Sequence, residues 1–297
     1  MATSSPHPRE SATRALFREH SRLFEENRYV YPVLSRRSCG LSVGINLNPD
    51  KICNFDCIYC QVDRTVGAEV TFVDHAALLA ELEHMLDSIE SGAIYEHAQF
   101  RDTPEHLRRL NDIAFSGDGE PTTYAGFEEI VSSCAETKQR RGLRDVKLVL
   151  ITNATMLHRT KVRRALETLD ANQGEVWAKL EAGTEAYYRL VERTSVPLAQ
   201  VLRNITDAAC IRPLVIQALF MRIRGAPPPI DEQQAFCDRL NEIAAAGGRI
   251  KLVQVYTVAR RPAVDFVGPL TDSEVDDLVS LVRARTGLHA LPFYSGT

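Results

Sequence analysis

KICNFDCIYCQVDR, residues 51–64, sets Cys53, Cys57 and Cys60 at C-x3-C-x2-C spacing and puts an aromatic residue, Tyr59, directly before the third thiol. The stretch follows the first apolar run of strand length. It therefore falls in a loop at the carboxyl end of a strand, where the sites of parallel α/β folds collect. A closed zinc site takes four ligands, commonly two C-x2-C pairs or a Cys/His mixture, and the nearby sequence offers no second pair. Cys39 is the only further thiol upstream. An electron-transfer iron–sulfur centre also uses four thiolates, whereas three suit a cluster whose fourth iron stays open to a ligand.

Outward from this loop, apolar runs of strand length alternate with amphipathic stretches. Strands are predicted over residues 41–45, 113–116, 146–152, 175–180, 214–221 and 250–257, and helices over 74–90, 126–137, 158–169, 197–209, 231–246 and 272–285. Asp74, Asp231 and Thr271 stand where a capping side chain is expected to accept the orphan amides of a first turn. Strand-then-helix units imply an α/β fold with a parallel sheet. The six units are too few for a complete eight-stranded barrel, and they wind either as an open doubly wound sheet or as a curved, partly closed barrel. The segment carrying Ala15, Leu16, Leu23 and Phe24 reads as one added helix. No linker or repeat divides the rest, so a core domain over 39–297 is expected after an N-terminal extension, 1–38. Residues 61–110 form the longest excursion between strands.

The chain has 297 residues, 44% hydrophobic and 25% charged, enough for one large α/β domain. A net charge of −4 gives no global attraction for a polyanion, so nucleic acid is not the default ligand. The most basic run, residues 138–147, joins a helix end to a strand start on the face opposite the thiols, where the helix dipole favours cations. The first twenty residues hold no apolar core of signal type, and no run of about 18 apolar residues occurs. The expectation is a soluble cytoplasmic protein with no membrane contact. Seven cysteines, an odd number, do not read as a disulfide framework.

A second motif, AFSGDGEPTTY at 114–124, follows the second predicted strand and lies at the same sheet edge. Gly117 and Gly119 permit a tight turn whose amides face a ligand, and Glu120 offers a carboxylate to a cation. The third strand ends in Thr152 and Asn153, the fourth in Lys179 and Glu181. Two residues apart, Lys179 and Glu181 share a face, and inside a barrel they need either each other or a ligand. Arg222, Arg224, Arg260 and Arg261 follow the last two strands, as solvated arginines or as a clamp for an anion.

At Cys53, Cys57, Tyr59 and Cys60 the chain resembles the radical S-adenosylmethionine (radical SAM) superfamily. The resemblance implies a partial (β/α)6 TIM-like barrel with the N-terminal helix added to it. It also implies a [4Fe-4S] cluster on the three cysteines and S-adenosylmethionine on the open iron. It implies further that reductive cleavage to methionine and a 5′-deoxyadenosyl radical is followed by hydrogen abstraction from a substrate. SGDGEPT resembles the family's Gly-Gly-Glu turn for the methionyl ammonium, so Gly117, Gly119 and Glu120 become cofactor-binding candidates, with Asp118 standing where the first glycine is usual. By the same resemblance Asn153, Lys179 and Glu181 contact the cofactor's carboxylate and ribose, Val255 and Tyr256 neighbour the adenine, and a flavodoxin or ferredoxin supplies one electron.

GINLNPDKICNFDCIYCQVDRT, ITNAT and WAKLEAGTEAYYRLVER are similar to the group containing the tRNA wyosine-base synthases. Those enzymes hold a second cluster on three upstream cysteines. Here only Cys39 precedes Cys53, so neither that cluster nor its pyruvate chemistry is expected. The substrate stays open among a small molecule, a nucleoside or tRNA base, and a peptide. Alternatives are an activase for a glycyl-radical enzyme, which shares the cysteine spacing, and a non-catalytic metal-binding protein.

Overall fold

Strands covered on both faces read as unbroken apolar runs, and β2 (Gly40–Ile45) and β6 (Leu214–Phe220) are buried at every position. The computed structural model describes residues 24–260, 262 and 264–295. The other strands of the main sheet are β1 (Val30–Ser35), β3 (Leu110–Phe115), β4 (Lys147–Thr152), β5 (Glu175–Lys179), β8 (Ile250–Thr257) and β10 (Ala290–Phe293). β7 (Arg222–Ile223) and β9 (Val267–Gly268) form a separate two-stranded ribbon.

The main sheet runs β1-β2-β3-β4-β5-β6-β8-β10, with β1 antiparallel to β2 and every other pair parallel. The order rises without reversal. It therefore has no switch point of the doubly wound kind, and the sheet curls as part of a barrel. β1 and β10 remain its two edges, joined across the gap by the Arg36 guanidinium donating to the Tyr294 carbonyl.

Among the described residues seven α-helices cover the outer face: α1 (His75–Glu90), α2 (Phe127–Arg140), α3 (Thr160–Asp170), α4 (Glu185–Glu192), α5 (Leu198–Ile211), α6 (Ile230–Ala245) and α7 (Asp272–Thr286). The Asp74 side chain accepts from the Ala77 amide, and Thr271 forms a capping box with Glu274. Asp231 is not a cap. α6 starts one residue earlier behind Pro229, and Asp231 lies in its first turn.

The expected N-terminal helix lies outside the described residues apart from Phe24, which sits in a bridge with Asn27. Residues 30–35, assigned from sequence to the extension, are the first strand of the sheet. Proline within an apolar run argues against a central strand. Pro32 is tolerated because β1 is an edge, and Glu81 of α1 anchors its approach by accepting from the amides of Arg28, Tyr29 and Val30 at 2.8–3.0 Å.

Most of the core lies between sheet and helices, where Phe220 meets Phe236 edge-to-face at 5.2 Å. Truncating either ring costs about 3–5 kcal/mol. Inside the curl a small apolar layer forms from Ala114, Val149, Trp177 and Val215. Beside it lies a cavity of about 280 Å³.

The basic run is spent on structure. Arg140 and Arg141 pair with Glu83 of α1, Arg141 also with Asp87 and Glu90, and Lys147 with Glu175. Among the described residues no helix is long and apolar enough to cross a membrane.

Candidate functional site

The loop after β2 carries the three thiols and is held by its neighbours' backbone. Asp56 and Ile58 donate to the carbonyls of Glu192 and Val191 at 3.1 and 2.9 Å, and the Cys60 amide donates to the Cys57 carbonyl at 2.9 Å. Thr194 Oγ1 donates to the Asn54 carbonyl at 3.0 Å, and the Asn54 amide reaches Thr155 Oγ1 at 2.7 Å. These bonds turn Cys53, Cys57 and Cys60, all half-buried, toward the cavity.

Each sulfur has a different polar neighbour. The Cys57 thiol donates to Glu192 Oε2 at 2.7 Å, and Arg64 Nη1 donates to Cys60 Sγ at 3.2 Å. Burial pushes the Cys53 thiol up. Burial, and then the Glu192 carboxylate, push Cys57 well up. Burial and the nearby Glu181 carboxylate likewise raise Glu192 well above the usual carboxylate range.

The 117–120 turn rests directly on this loop. A Cβ on Gly117 would stand 2.2 Å from Asn46 Oδ1, and one on Gly119 would stand 2.2 Å from the Ile52 carbonyl oxygen. Glycine is required here by close approach, not by a left-handed backbone. Asn46 clamps the turn from beneath, its Oδ1 accepting from the Asp118 amide at 3.1 Å and its Nδ2 donating to Asp118 Oδ2 at 2.7 Å.

Glu120 is buried, and its carboxylate has four protein donors: the Thr122 amide and hydroxyl and Thr152 Oγ1 on Oε1, and the Asn153 amide on Oε2. A carboxylate offers about four lone-pair sites, so this one ties the ends of β3 and β4 together. Burial raises its pKa, opposed by these same bonds. Asn153 continues the tie, donating from Nδ2 to Asn54 Oδ1 at 2.8 Å.

Lys179 and Glu181 do not pair with each other. Glu181 Oε1 accepts from the Tyr59 hydroxyl at 2.8 Å, while Lys179 Nζ stands 5.3 Å above the Tyr59 ring. Among the described residues Lys179 makes no hydrogen bond or ion pair. Burial disfavours its charge, but Tyr256, Glu181, Cys57 and Glu192 outweigh burial and hold it firmly as an ammonium. Burial pushes the Tyr59 phenol well up.

The fold thus brings Cys53, Cys57, Tyr59 and Cys60 to one cavity with Gly117, Gly119, Glu120, Asn153 and Lys179, with Glu181 behind Tyr59. Other candidates separate. Cys39 is exposed in the β1–β2 turn, at the opposite end of β2 from the thiol loop, and cannot serve as a fourth ligand. Arg222 pairs with Glu274 and Arg224 lies 5.8 Å from the Phe266 ring, whereas Arg260 borders the cavity; Arg261 lies outside the described residues. Val255 is fully buried in the layer between sheet and helices, so the alternation of β8 turns Tyr256 inward instead. Asn46, Asn54, Arg64 and Glu192 went unmarked in the sequence. Glu192 comes from a helix 135 positions beyond Cys57, and no local pattern announces that contact.

The family model described as the radical SAM superfamily matches residues 47–211, more than half of the chain. The chain belongs to the radical SAM superfamily. A UPF0026 protein of Helicobacter pylori (strain J99) is 25% identical over 219 residues, covering 72% of this chain and 62% of that protein. Across the curated relatives, the chain spans between 20% and 62% of their length. A structure of TYW1 with a lysine-pyruvate adduct bound has a TM-score of 0.51 at 12% identity over 82% of this chain and 73% of that one. A spore photoproduct lyase variant has a TM-score of 0.54 at 11% identity over 90% of this chain and 80% of that one. At such identities the likeness is one of fold, and it is the radical SAM half-barrel.

Radical SAM proteins bind a [4Fe-4S] cluster and S-adenosylmethionine, and the residues present fit the pair. Three thiols open into one cavity, yet among the described residues no three metal-ligating side chains converge as a single ion requires. A cluster spreads its thiolates over separate irons. Beside the thiols, the Lys179 ammonium makes no hydrogen bond or ion pair among the described residues.

Proposed function

We propose that Cys53, Cys57 and Cys60 hold the cluster at the mouth of the half-barrel, and that the enzyme takes a hydrogen atom from a small molecule bound deeper in the curl. The reading rests on one observation: groups from the ends of β2, β3, β4 and β5 open into a single cavity. Bound there and reduced, the cluster would supply the electron for reductive cleavage of S-adenosylmethionine, the source of the radical that would take that atom.

The chain's own groups bind and orient. The Lys179 ammonium, which makes no hydrogen bond or ion pair among the described residues, pairs with the cofactor carboxylate. The 117–119 backbone receives the methionyl ammonium. Glu120 positions that turn through Thr152 and Asn153 and keeps one acceptor site of Oε2 for the cation. Tyr59, fixed by Glu181, walls the thiols from the substrate side, and the buried inner layer keeps water from the radical. A flavodoxin- or ferredoxin-type donor supplies the electron.

The test is anaerobic. The full chain is reconstituted with iron and sulfide, given S-adenosylmethionine and dithionite, and assayed for 5′-deoxyadenosine beside a Cys53/Cys57/Cys60→Ala triple variant. Product from the intact chain alone is expected. Zinc bound in place of iron, or no product from a chain carrying about four irons, overturns the reading.

A further inference from the structure

The lower half of the cavity, between the inner apolar layer and the β1–β2 turn, contains groups that the cofactor does not use. Arg37 enters from that turn. Its guanidinium carbon lies 5.7 Å from the Trp177 ring and 5.1 Å from the Tyr256 ring, and among the described residues it makes no hydrogen bond or ion pair. Arg37 is half-buried, and its five donors, held between two aromatic rings at the cavity wall, are placed to bind an acceptor that enters there. Gln217 is fully buried and lines the same space. Its Nε2 donates to Gln254 Oε1 at 2.9 Å, while its Oε1 has no partner. Swapping the two amide atoms leaves the other one unpaired, so this side chain presents an unmet polar atom in either orientation.

Asp112 bears on the charge the site can take. It is buried in the same cavity, its carboxylate accepts from Ser42 Oγ, and Arg37 acts on it electrostatically. Arg36 of the same turn also lines the cavity but donates to the Tyr294 carbonyl, and with Asp112 offsetting positive charge the Arg37 guanidinium is poorly matched to a dianion. A monoanion is the better partner, and a carboxylate fits the planar fork.

We propose that the floor of the half-barrel is a substrate subsite for a small monocarboxylate. Its carboxylate sits on Arg37, its apolar body lies along Trp177 and Tyr256, and a second polar group completes the Gln217 amide. The inference deepens the radical reading and rests on it for the reaction, though not for the binding.

Trp177 is the chain's single tryptophan, so its fluorescence reports on this spot alone. The full chain, with and without reconstituted cluster, is titrated with benzoate and phenylacetate, with benzamide and phenylacetamide, and with inorganic phosphate, and equilibrium dialysis gives an independent affinity. Saturable binding of both carboxylates is expected, with the amides at least about tenfold weaker. Arg37→Gln is expected to lose about tenfold for carboxylates only and Arg37→Lys to retain part, while Gln217→Met leaves both acids nearly unchanged, since neither has a second polar group. Should Arg37→Gln fail to fold by circular dichroism, Arg37→Lys carries the comparison. Amides binding as well as acids, affinity unmoved in the Arg37 variants, tighter binding of phosphate, or no saturable binding at all overturns the proposal. The same preparations are assayed for 5′-deoxyadenosine. Product without Arg37-dependent binding removes the subsite alone, and Arg37-dependent binding without product removes the radical reading and leaves the subsite.

Discussion

Replacing Gly119 by alanine tests how the thiol loop is supported. Its backbone is not left-handed, so the change carries no conformational penalty there, and the whole effect is steric. The new methyl would stand 2.2 Å from the Ile52 carbonyl oxygen and 2.8 Å from Asn48 Cβ. Ordinary contact lies near 3.5 Å, so Ile52 must retreat by about 1 Å, and Cys53 is the next residue. Overpacking of this kind costs about 1–3 kcal/mol. Gly67→Ala is the control, since nothing lies within 4 Å of its added Cβ. Urea unfolding of the cluster-free chain is expected to show the loss for Gly119→Ala and a change under about 0.5 kcal/mol for Gly67→Ala. Iron bound per chain after reconstitution should fall sharply in the first variant and stay unchanged in the second. Gly119→Ala with wild-type stability and full iron would refute the claim that this turn sets the position of the thiol loop.

Glu120→Ala strips acceptors from buried donors on Thr122, Thr152 and Asn153, and a loss of about 3–5 kcal/mol is expected in the same urea assay. Asn204→Leu leaves the Ala154 carbonyl without its side-chain donor and the Thr155 carbonyl with only Gln200 Nε2 at 3.4 Å, and should cost about 1–3 kcal/mol, read as a lowered melting temperature. At the other end of the barrel, burial works against the charge of Glu175, but hydrogen bonds from Lys147, Lys251 and Trp177 hold its pKa down at about 2. A lowered folded value means that its contribution is present above the ordinary value of 4.5 and is lost as pH falls from there toward about 2. After allowance for solvent screening this amounts to about 1–2 kcal/mol. Glu175→Gln should therefore lower the urea midpoint at pH 6 and leave it nearly unchanged at pH 2, and equal losses at both would contradict the assignment.

The thiol loop was legible because its chemistry is written in spacing: three cysteines within eight residues, directly after a strand, admit few purposes. The six parallel strands were legible because burial on both faces forces continuous apolar runs. β1 was not, since Pro32 breaks the pattern that marks a strand and only its edge position excuses it. β10 was missed through brevity, and α4 because eight residues give too few turns for a periodic signal. Alternation along β8 separates Val255 from Tyr256 once the inner face is known, but which face is inner depends on the curl. Glu192, Asn46 and Arg37 act at sites built by distant segments. Their roles are tertiary facts with no trace in neighbouring residues.

Because the barrel is incomplete, its two outermost strands have no further strand paired to them among the described residues, and such edges are where extended segments add to a sheet or copies stack into fibres. Both strands interrupt that invitation in the same way, with Pro32 in β1 and Pro292 in β10. A proline has no amide hydrogen to offer, so a foreign strand finds a break in the ladder at either rim. The molecule keeps its slot open to small visitors while refusing long ones.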